Sequence, residues 1–209
     1  IHRHKSALGP AWKVRASVAG LHLFDRSRGV NILLDDVLIP AALQSPAPRQ
    51  VSVALTNACD LACNFCYAPK TRATLDMHSL SNWLVELDDA GCLGVGFGGG
   101  EPTLYAHFAE LCRFTARETQ LAVSFTTHAH HLQGQLLEEL RGNVHYVRVS
   151  MDGVGHVYET IRRRSFKELL ARLSEVRTLC AVGINFVVNS QTFVDIDAAA
   201  SLAADVGAS

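Results

Sequence analysis

Short apolar runs alternate with amphipathic segments along most of the chain. The apolar runs are rich in Val, Leu and Phe, and they predict β-strands at 51–55, 93–97, 121–126, 144–150 and 182–189. The segments between and after them carry apolar residues at helical spacing, and they predict helices at 79–90, 108–119, 132–140, 166–179 and 196–204. This alternation is typical of right-handed βαβ units. It therefore predicts an α/β fold with a parallel sheet built from about five βα units.

The residues before this pattern predict a smaller unit that is rich in β-structure. Two apolar runs, 22–24 and 31–34, flank a charged turn that ends in Gly29, as is typical of a hairpin. The stretch 45–49 consists of prolines, small residues and one Arg, and indicates a linker. We therefore predict an N-terminal β-rich appendage with its linker at 1–46 and a main domain at 47–209.

Polar and unusual residues are concentrated directly after the predicted strands. In parallel α/β folds, ligands bind at the carboxyl ends of the strands. The segments in these positions are 59–66, 98–103, 126–128, 150–153 and 188–190. The order of elements therefore predicts a functional site along one rim of the sheet.

Three cysteines, Cys59, Cys63 and Cys66, follow the first predicted strand in a C-x3-C-x2-C arrangement. Three thiolates on so short a loop can converge on one metal centre. A structural zinc site usually has four protein ligands, and a [4Fe–4S] cluster normally takes four Cys thiolates. With three cysteines, one iron would be left to bind another molecule. A zinc site that recruits a His, or a ferredoxin-type site with a distant fourth ligand, is the alternative.

A glycine-rich stretch, Gly98-Gly99-Gly100-Glu101-Pro102, follows the second predicted strand. Glycine allows a close approach of the backbone to a ligand, and Glu101 supplies an anionic acceptor for an amine. Taken alone, the stretch is also compatible with an ordinary glycine-rich turn. Together with the cysteine triplet, it resembles the motifs of the radical S-adenosylmethionine (SAM) superfamily, whose GGE motif holds the methionine amino group of SAM.

The resemblance implies a fold and a pair of cofactors. The fold is an open, partial (βα)6 barrel of the TIM type; this chain has about five of the units, so we expect it to be truncated. Cys59, Cys63 and Cys66 would ligate three irons of a [4Fe–4S] cluster, and SAM would chelate the fourth. Reductive cleavage of SAM would then yield a 5′-deoxyadenosyl radical that abstracts hydrogen from a C–H bond.

The resemblance also implies roles for residues outside these two motifs. Gly99, Gly100 and Glu101 would bind the methionine end of SAM. Phe65, directly before the last cysteine, would lie near the adenine or pack on the first strand. Ser-Met-Asp-Gly at 150–153 resembles the family's Ser-x-Asp-Gly. There Ser150 would contact the ribose or the methionyl part of SAM, while Asp152 would either contact SAM or cap the following turn.

Two further side chains are candidates for SAM contacts. Arg162 would pair with the SAM carboxylate, because the guanidinium group suits bidentate recognition of carboxylates; Arg163 and Arg164 compete for this role. Asn189, at the predicted end of the fifth strand, would contact the adenine or the ribose.

The third strand departs from the family pattern at its end. Relatives often have Thr-Asn-Gly there, whereas this chain has Thr127-His128-Ala129. The change puts an Asn-mediated contact in doubt. His128, His130 and His131 are either polar loop residues or ligands of a second metal.

Composition and charge restrict the class of partner. The 209 residues carry a net charge of −1, which gives no electrostatic attraction for nucleic acid. No apolar run reaches the roughly 18 residues that span a bilayer, and we expect neither a nucleic-acid nor a membrane partner.

Cys92, Cys112 and Cys180 are widely spaced, as core thiols are. Clustered thiols without a secretory signal favour the reducing cytoplasm.

The sequence favours a peptide as the substrate. A β-rich unit ahead of the barrel resembles the layout of the peptide-modifying, SPASM-like branch, and neutral charge disfavours RNA. We expect a ribosomally made peptide as substrate and a reducing electron donor of the flavodoxin or ferredoxin type. Cofactor biosynthesis and metalloenzyme maturation are alternatives. A non-catalytic iron–sulfur protein is another, although such a protein would not need Glu101 or Ser150.

Overall fold

The computed structural model describes residues 12–208, and this part of the chain begins with a small antiparallel sheet. Its strands are β1 (Trp12–Ser17), β2 (Gly20–Asp25) and β3 (Val30–Leu34), in the order β1-β2-β3. The hairpin predicted from the sequence corresponds to β2 and β3, and β1 adds a third strand. The predicted appendage also includes 1–11, which lie outside the described residues.

The main sheet has five strands that are all parallel and lie in chain order. They are β4 (Gln50–Thr56), β5 (Gly94–Gly99), β6 (Ala122–Thr127), β7 (Tyr146–Ser150) and β8 (Ala181–Asn185). The predicted α/β fold is confirmed. The predicted fifth strand was too long, since β8 ends at Asn185 and not at Asn189.

Six helices follow the strands of the main sheet. They are α1 (Met77–Asp89), α2 (Phe108–Glu118), α3 (Gly134–Leu140), α4 (His156–Arg162), α5 (Phe166–Val176) and α6 (Ile196–Asp205). Sequence analysis missed α4, because seven residues between Gly155 and the left-handed Arg163 are too few for a clear period. Within residues 12–208, no helix is long and apolar enough to cross a membrane.

The two faces of the main sheet differ in chemistry, because successive residues of a strand point to opposite faces. One face packs against the helices. A buried row there consists of Val53, Phe97, Phe125, Val147 and Val182. The opposite face carries small or polar residues, with Ser52, Gly96 and Ser124 in one row. Small side chains on this face leave the interior of the partial barrel open.

The N-terminal sheet lies against the end of the barrel where helices lead into strands. Arg15 donates a hydrogen bond to the carbonyl of Gly91 at 2.8 Å, directly after α1. Arg26 donates to three carbonyls near the end of α2, those of Ala116, Thr119 and Leu121, at 2.8–2.9 Å. This end is opposite to the carboxyl ends of the strands. The division of the chain at residue 46 stays a prediction.

We expect Arg26→Gln to lower the free energy of unfolding by about 1–3 kcal/mol, because it leaves buried carbonyl groups unpaired. Urea denaturation of the cluster-free chain measures this change. The matched control is Arg28→Gln, whose side chain is 72% exposed and pairs with Asp25. Equal losses in the two variants would show that Arg26 does not hold the N-terminal sheet in place.

Candidate functional site

The carboxyl ends of the parallel strands open into a cavity of about 570 Å³. Sequence analysis predicted eleven site residues, and ten of them line this cavity: Cys59, Cys63, Cys66, Phe65, Gly99, Gly100, Glu101, Ser150, Asp152 and Arg162. Asn189 does not line it. The segregation of polar residues at the strand ends therefore corresponds to one site in space.

The loop that carries the three cysteines is closed at its base by Thr56, the last residue of β4. The Thr56 hydroxyl accepts a hydrogen bond from the Ala58 amide at 3.1 Å and lies 3.2 Å from the Ala73 carbonyl, to which it donates. Within the loop, the Cys66 amide donates to the Cys63 carbonyl at 3.2 Å. The loop therefore leaves the sheet and returns to it beside the cavity.

The glycine stretch after β5 packs directly on the start of the cysteine loop. Gly100 N donates to the Thr56 carbonyl at 2.7 Å, and Glu101 N donates to the Ala58 carbonyl at 2.8 Å. A Cβ at Gly100 would lie 2.2 Å from the Ala58 oxygen, so no other residue fits without moving the loop. Gly99 has a φ of +116°, a conformation that favours glycine. Glycine is therefore required at both positions.

Gly98 has the opposite surroundings. A Cβ at this position would meet no atom within 4 Å, and the residue lines the cavity. Because Gly98 has no side chain, the space at this part of the cavity stays open.

The Glu101 carboxylate connects the loops that follow β5 and β6. It is buried and accepts hydrogen bonds from the Thr103 hydroxyl at 2.7 Å, the Thr127 hydroxyl at 2.7 Å and the His128 amide at 3.0 Å. Sequence analysis assigned Glu101 to SAM alone and missed this structural role. One residue could have indicated this role, because Thr127, directly after the predicted third strand, has a hydroxyl group that can donate to a carboxylate.

His128 connects the same loops to the cysteine loop. Its Nδ1 accepts from the His130 amide at 3.2 Å, so the proton lies on Nε2, which donates to Asp60 at 2.8 Å. Ligand atoms of Cys59, Asp60 and His128 lie within 4.8 Å of one another, but both ring nitrogens of His128 are already engaged. This argues against the zinc site with a recruited His.

The other two histidines of this loop have different partners. His130 Nε2 lies 2.9 Å from the Tyr158 hydroxyl, and His131 Nε2 lies 3.4 Å from Asp60. Burial lowers the pKa of His130 to about 4, so it is neutral near pH 7. The three histidines thus do not converge on one point.

Asp60 is the acidic residue of the cysteine loop that pairs with His128. Partial burial acts to raise its pKa, but hydrogen bonds from Arg164 and His128 outweigh burial and hold that pKa below its ordinary value. Arg164 therefore pairs with Asp60 at 2.9 Å and does not compete with Arg162 for the cavity.

Ala129 occupies the position at which relatives often have glycine. Its φ is +67°, in the left-handed region, and the residue is buried. A left-handed conformation costs a residue with a side chain roughly 1–2 kcal/mol. The turn after β6 thus holds a residue with a side chain in a conformation that favours glycine.

Asp152 and Arg162 form a buried ion pair at the cavity. Asp152 also accepts from the Val187 amide at 2.7 Å, which ties the loop after β7 to the loop after β8. Arg162 extends over the Phe65 ring, with 5.9 Å from guanidinium carbon to ring centroid, and its NH1 lies 3.4 Å from Cys63 Sγ. The Nε of Arg162 is buried and has no hydrogen-bond partner within residues 12–208.

Asn189 lies in the turn beyond β8. Its Oδ1 accepts from the amides of Gln191 at 2.8 Å and Thr192 at 3.2 Å, so its side chain caps that turn. Asn185, at the true end of β8, is paired in register with Ser150 and lines the cavity. Sequence analysis overlooked Asn185 because it placed the end of the strand four residues too late. A contact of Asn189 with SAM stays a prediction that its position does not support.

One protein-family model matches most of the chain. The model described as "Radical SAM superfamily" matches residues 53–203. This chain belongs to the radical SAM superfamily. The match includes the cysteine loop, the glycine stretch, the second half of β4 and all of β5 to β8.

Relatives among curated proteins and solved structures agree with this assignment. The chain is 31% identical over 166 residues to the sporulation killing factor maturation protein SkfB of Bacillus subtilis strain 168, which covers 73% of this chain and 40% of SkfB. It is 28% identical over 172 residues to the mycofactocin maturase MftC of Mycolicibacterium smegmatis, which covers 78% of this chain and 43% of MftC. The chain thus spans less than half the length of these relatives.

A solved structure shows the same fold. Streptococcus suis SuiB superposes on this chain with a TM-score of 0.77 at 16% sequence identity, and the alignment covers 96% of this chain and 60% of SuiB.

Radical SAM proteins use a [4Fe–4S] cluster and SAM, and the residues of this cavity fit both groups. All three loop cysteines are free thiols at the cavity wall. Partial burial raises the pKa of the Cys59 thiol, so binding of iron must displace a proton there. Gly98 leaves space beside the thiols, and the unpaired Nε of Arg162 offers a donor for an anionic group.

We expect Glu101→Gln to weaken SAM binding and to leave the cluster in place. Loss of the negative charge should cost about 1.5–3 kcal/mol, as for hydrogen bonds to charged groups. Titration of SAM into the reconstituted variant measures the affinity, and iron content measures the cluster. Glu110→Gln, on the exposed side of α2, is the control. Wild-type affinity for SAM in the Glu101 variant would remove this carboxylate from the SAM site.

Proposed function

We propose that this chain is the catalytic core of an enzyme that reductively cleaves SAM and modifies a ribosomally made peptide by hydrogen abstraction. The observation that carries the proposal is the convergence of the cysteine loop, the glycine stretch and Arg162 on one cavity. A protein that only transferred electrons would need the thiols but not the rest of this site.

Each group of residues has a separate task in the proposal. When bound, the cluster and SAM supply a 5′-deoxyadenosyl radical that takes hydrogen from a C–H bond. The thiolates of Cys59, Cys63 and Cys66, which line the cavity, would hold the cluster. The Glu101 carboxylate would receive the ammonium group of an amino acid, and the Arg162 guanidinium would receive its carboxylate. Gly98 leaves the space that such a ligand needs.

The names of relatives support a peptide as the substrate. SkfB and MftC are both named as maturation proteins, and PqqA peptide cyclase of Gluconobacter oxydans is 30% identical over 176 residues. SuiB has also been solved bound to its precursor peptide SuiA, and that structure superposes with a TM-score of 0.76. We infer that the present chain acts on a substrate of the same class.

Strand β3 is the proposed docking edge for the peptide. It forms an edge of the N-terminal sheet, and all five of its residues are exposed. Ile32 and Leu34, for example, are 41% and 39% exposed although both are apolar. An extended peptide can add a strand to such an edge. In contrast, Arg15 of β1 and Arg26, directly after β2, hold the sheet against the barrel, which supports a covering role for that part.

Cofactor biosynthesis is the second candidate function. The chain is 28% identical over 152 residues to the Fe-coproporphyrin III synthase of Methanosarcina barkeri. It is 31% identical over 126 residues to the GTP 3′,8-cyclase of Chlorobaculum tepidum. The first is named for a tetrapyrrole product and the second for a nucleotide substrate, so membership of the family is compatible with substrates other than a peptide.

The proposal includes an electron donor and a compartment. Cleavage of SAM consumes an electron, which we assign to a donor of the flavodoxin or ferredoxin type. Free thiols at an exposed loop require a reducing environment, so we place the protein in the cytoplasm.

The test uses the reduced, reconstituted chain with SAM and, as candidate substrates, the short peptides that reading frames next to its gene encode. We expect formation of 5′-deoxyadenosine, and loss of hydrogen from the peptide by mass spectrometry. The double variant Ile32→Glu, Leu34→Glu should bind the peptide at least about tenfold more weakly, because charges oppose an apolar docking edge. Val18→Glu, in the exposed β1–β2 turn, is the matched control.

Two results would contradict the proposal in different ways. Cleavage of SAM with an unchanged peptide, together with consumption of a porphyrin or GTP, would establish the second candidate. Unchanged peptide affinity in the β3 double variant would remove β3 from peptide docking and leave the chemistry intact.

A further inference from the structure

Arg148 lies deeper in the barrel than the cavity residues discussed so far. It belongs to β7 and lies on the open face of the sheet, in register with Thr126 and Gly183. Ser150 on the same strand marks the rim, so Arg148 is displaced into the barrel by two residues, or roughly 7 Å. The guanidinium carbon lies 5.0 Å from the Tyr146 ring centroid.

Arg148 lines two cavities and therefore lies where they meet. The first is the cavity at the carboxyl ends of the strands. The second has a volume of about 580 Å³ and lies between the N-terminal sheet and the opposite end of the barrel. Gln50 is also common to both linings. A ligand that enters past the cysteine loop thus meets Arg148 in the interior.

The acidic side chains at the carboxyl ends of the strands already have partners. Asp152 pairs with Arg162, and Asp60 pairs with Arg164 and His128. Glu101 accepts its hydrogen bonds from Thr103, Thr127 and His128. Among residues 12–208, Arg148 has neither an ion pair nor a hydrogen bond to an acidic side chain. A half-buried guanidinium without an anion retains an unused capacity for one.

The second cavity adds to the positive charge on this side. Arg26, Arg28, Arg49 and Arg148 line it, and within the described residues no Asp or Glu does. Residues 1–11 also contain no acidic residue in their sequence. Arg26 is occupied by backbone carbonyls and Arg28 by Asp25. The interior below the cluster site is therefore suited to an anion.

We propose that Arg148 binds a carboxylate of the peptide substrate and so sets which residue reaches the reaction site. This inference rests on the proposed function and adds the chemical class of the bound segment. A carboxylate suits the planar guanidinium because it accepts two parallel hydrogen bonds. The carboxylate belongs to an acidic side chain or to a C-terminus, and both present the same group.

The test compares three N-acetylated tripeptides on the 209-residue chain with reconstituted cluster and SAM. They are Gly-Glu-Gly amide, Gly-Gln-Gly amide, and Gly-Gln-Gly with a free carboxyl terminus. Ligand-observed NMR measures each Kd. We expect one of the two anionic peptides to bind at least about tenfold more tightly than the neutral one, which corresponds to about 1.4 kcal/mol. Which one does so identifies the source of the carboxylate.

Arg148→Gln should abolish this preference, because the variant lacks the positive charge that favours the anionic peptide over the neutral one. A general defect of the site would weaken the binding of both peptides and leave the ratio of their affinities unchanged. Arg113→Gln, on the exposed side of α2, changes the net charge equally and should retain the preference. A preference that persists in Arg148→Gln, or no preference in the wild type, would overturn the inference. An equal fall in SAM affinity would assign the carboxylate to SAM and overturn it as well.

Failure of the proposed function gives a different result. A chain that binds no cluster or no SAM contradicts the proposed function, whereas an intact cluster without carboxylate preference contradicts only the role of Arg148. The same titration on the cluster-free chain tests the preference if no cluster forms.

Discussion

The site depends on the contact between two backbone segments, the glycine stretch after β5 and the start of the cysteine loop after β4. Two hydrogen bonds join them, from Gly100 to Thr56 at 2.7 Å and from Glu101 to Ala58 at 2.8 Å. The contact is so close that a Cβ at Gly100 would lie 2.2 Å from a carbonyl oxygen. The two sequence motifs of the family are therefore parts of one structure, because the position of the cysteines is set by the glycines.

Buried polar groups extend this contact across the rim. Glu101 accepts from the loop after β6, and His128 on that loop donates to Asp60 on the cysteine loop. On the other side, Asp152 and Arg162 connect the loops after β7 and β8 with Cys63. Buried networks of this kind hold their members in place when every group is satisfied. Within residues 12–208, the Nε of Arg162 and the Nε2 of His131 are the buried side-chain atoms without a hydrogen-bond partner, and Arg162 lines the cavity where an anionic ligand is expected.

The sequence predicted the features that depend on the periodicity of apolar residues and on the spacing of motifs. The five strands were visible because their buried face is apolar, and the site was visible because its residues follow those strands. The patterns did not predict α4, which is too short, or the end of β8, where Phe186 and Val187 continue the apolar run beyond the last paired residue. They also predicted the end of this strand at Asn189, whereas the last residue of β8 is Asn185.

Long-range contacts account for the remaining differences. The structural roles of Glu101 and His128 arise from partners 27 and 68 residues away along the chain, which no local pattern shows. The same holds for Arg26, which connects the N-terminal sheet to carbonyls 90–95 residues later in the chain. Its position opposite the cysteines separates the proposed peptide-docking edge from the reaction site.

The central claim is that Cys59, Cys63 and Cys66 hold one cluster whose open iron binds SAM. Electron paramagnetic resonance of the reduced, reconstituted chain tests it directly, with and without SAM. We predict a cluster signal whose shape changes when SAM is added. The signal should be absent in the triple Cys→Ala variant and present in Cys180→Ala, which changes a thiol away from the site. A signal that SAM does not alter, or one that survives in the triple variant, would contradict the account.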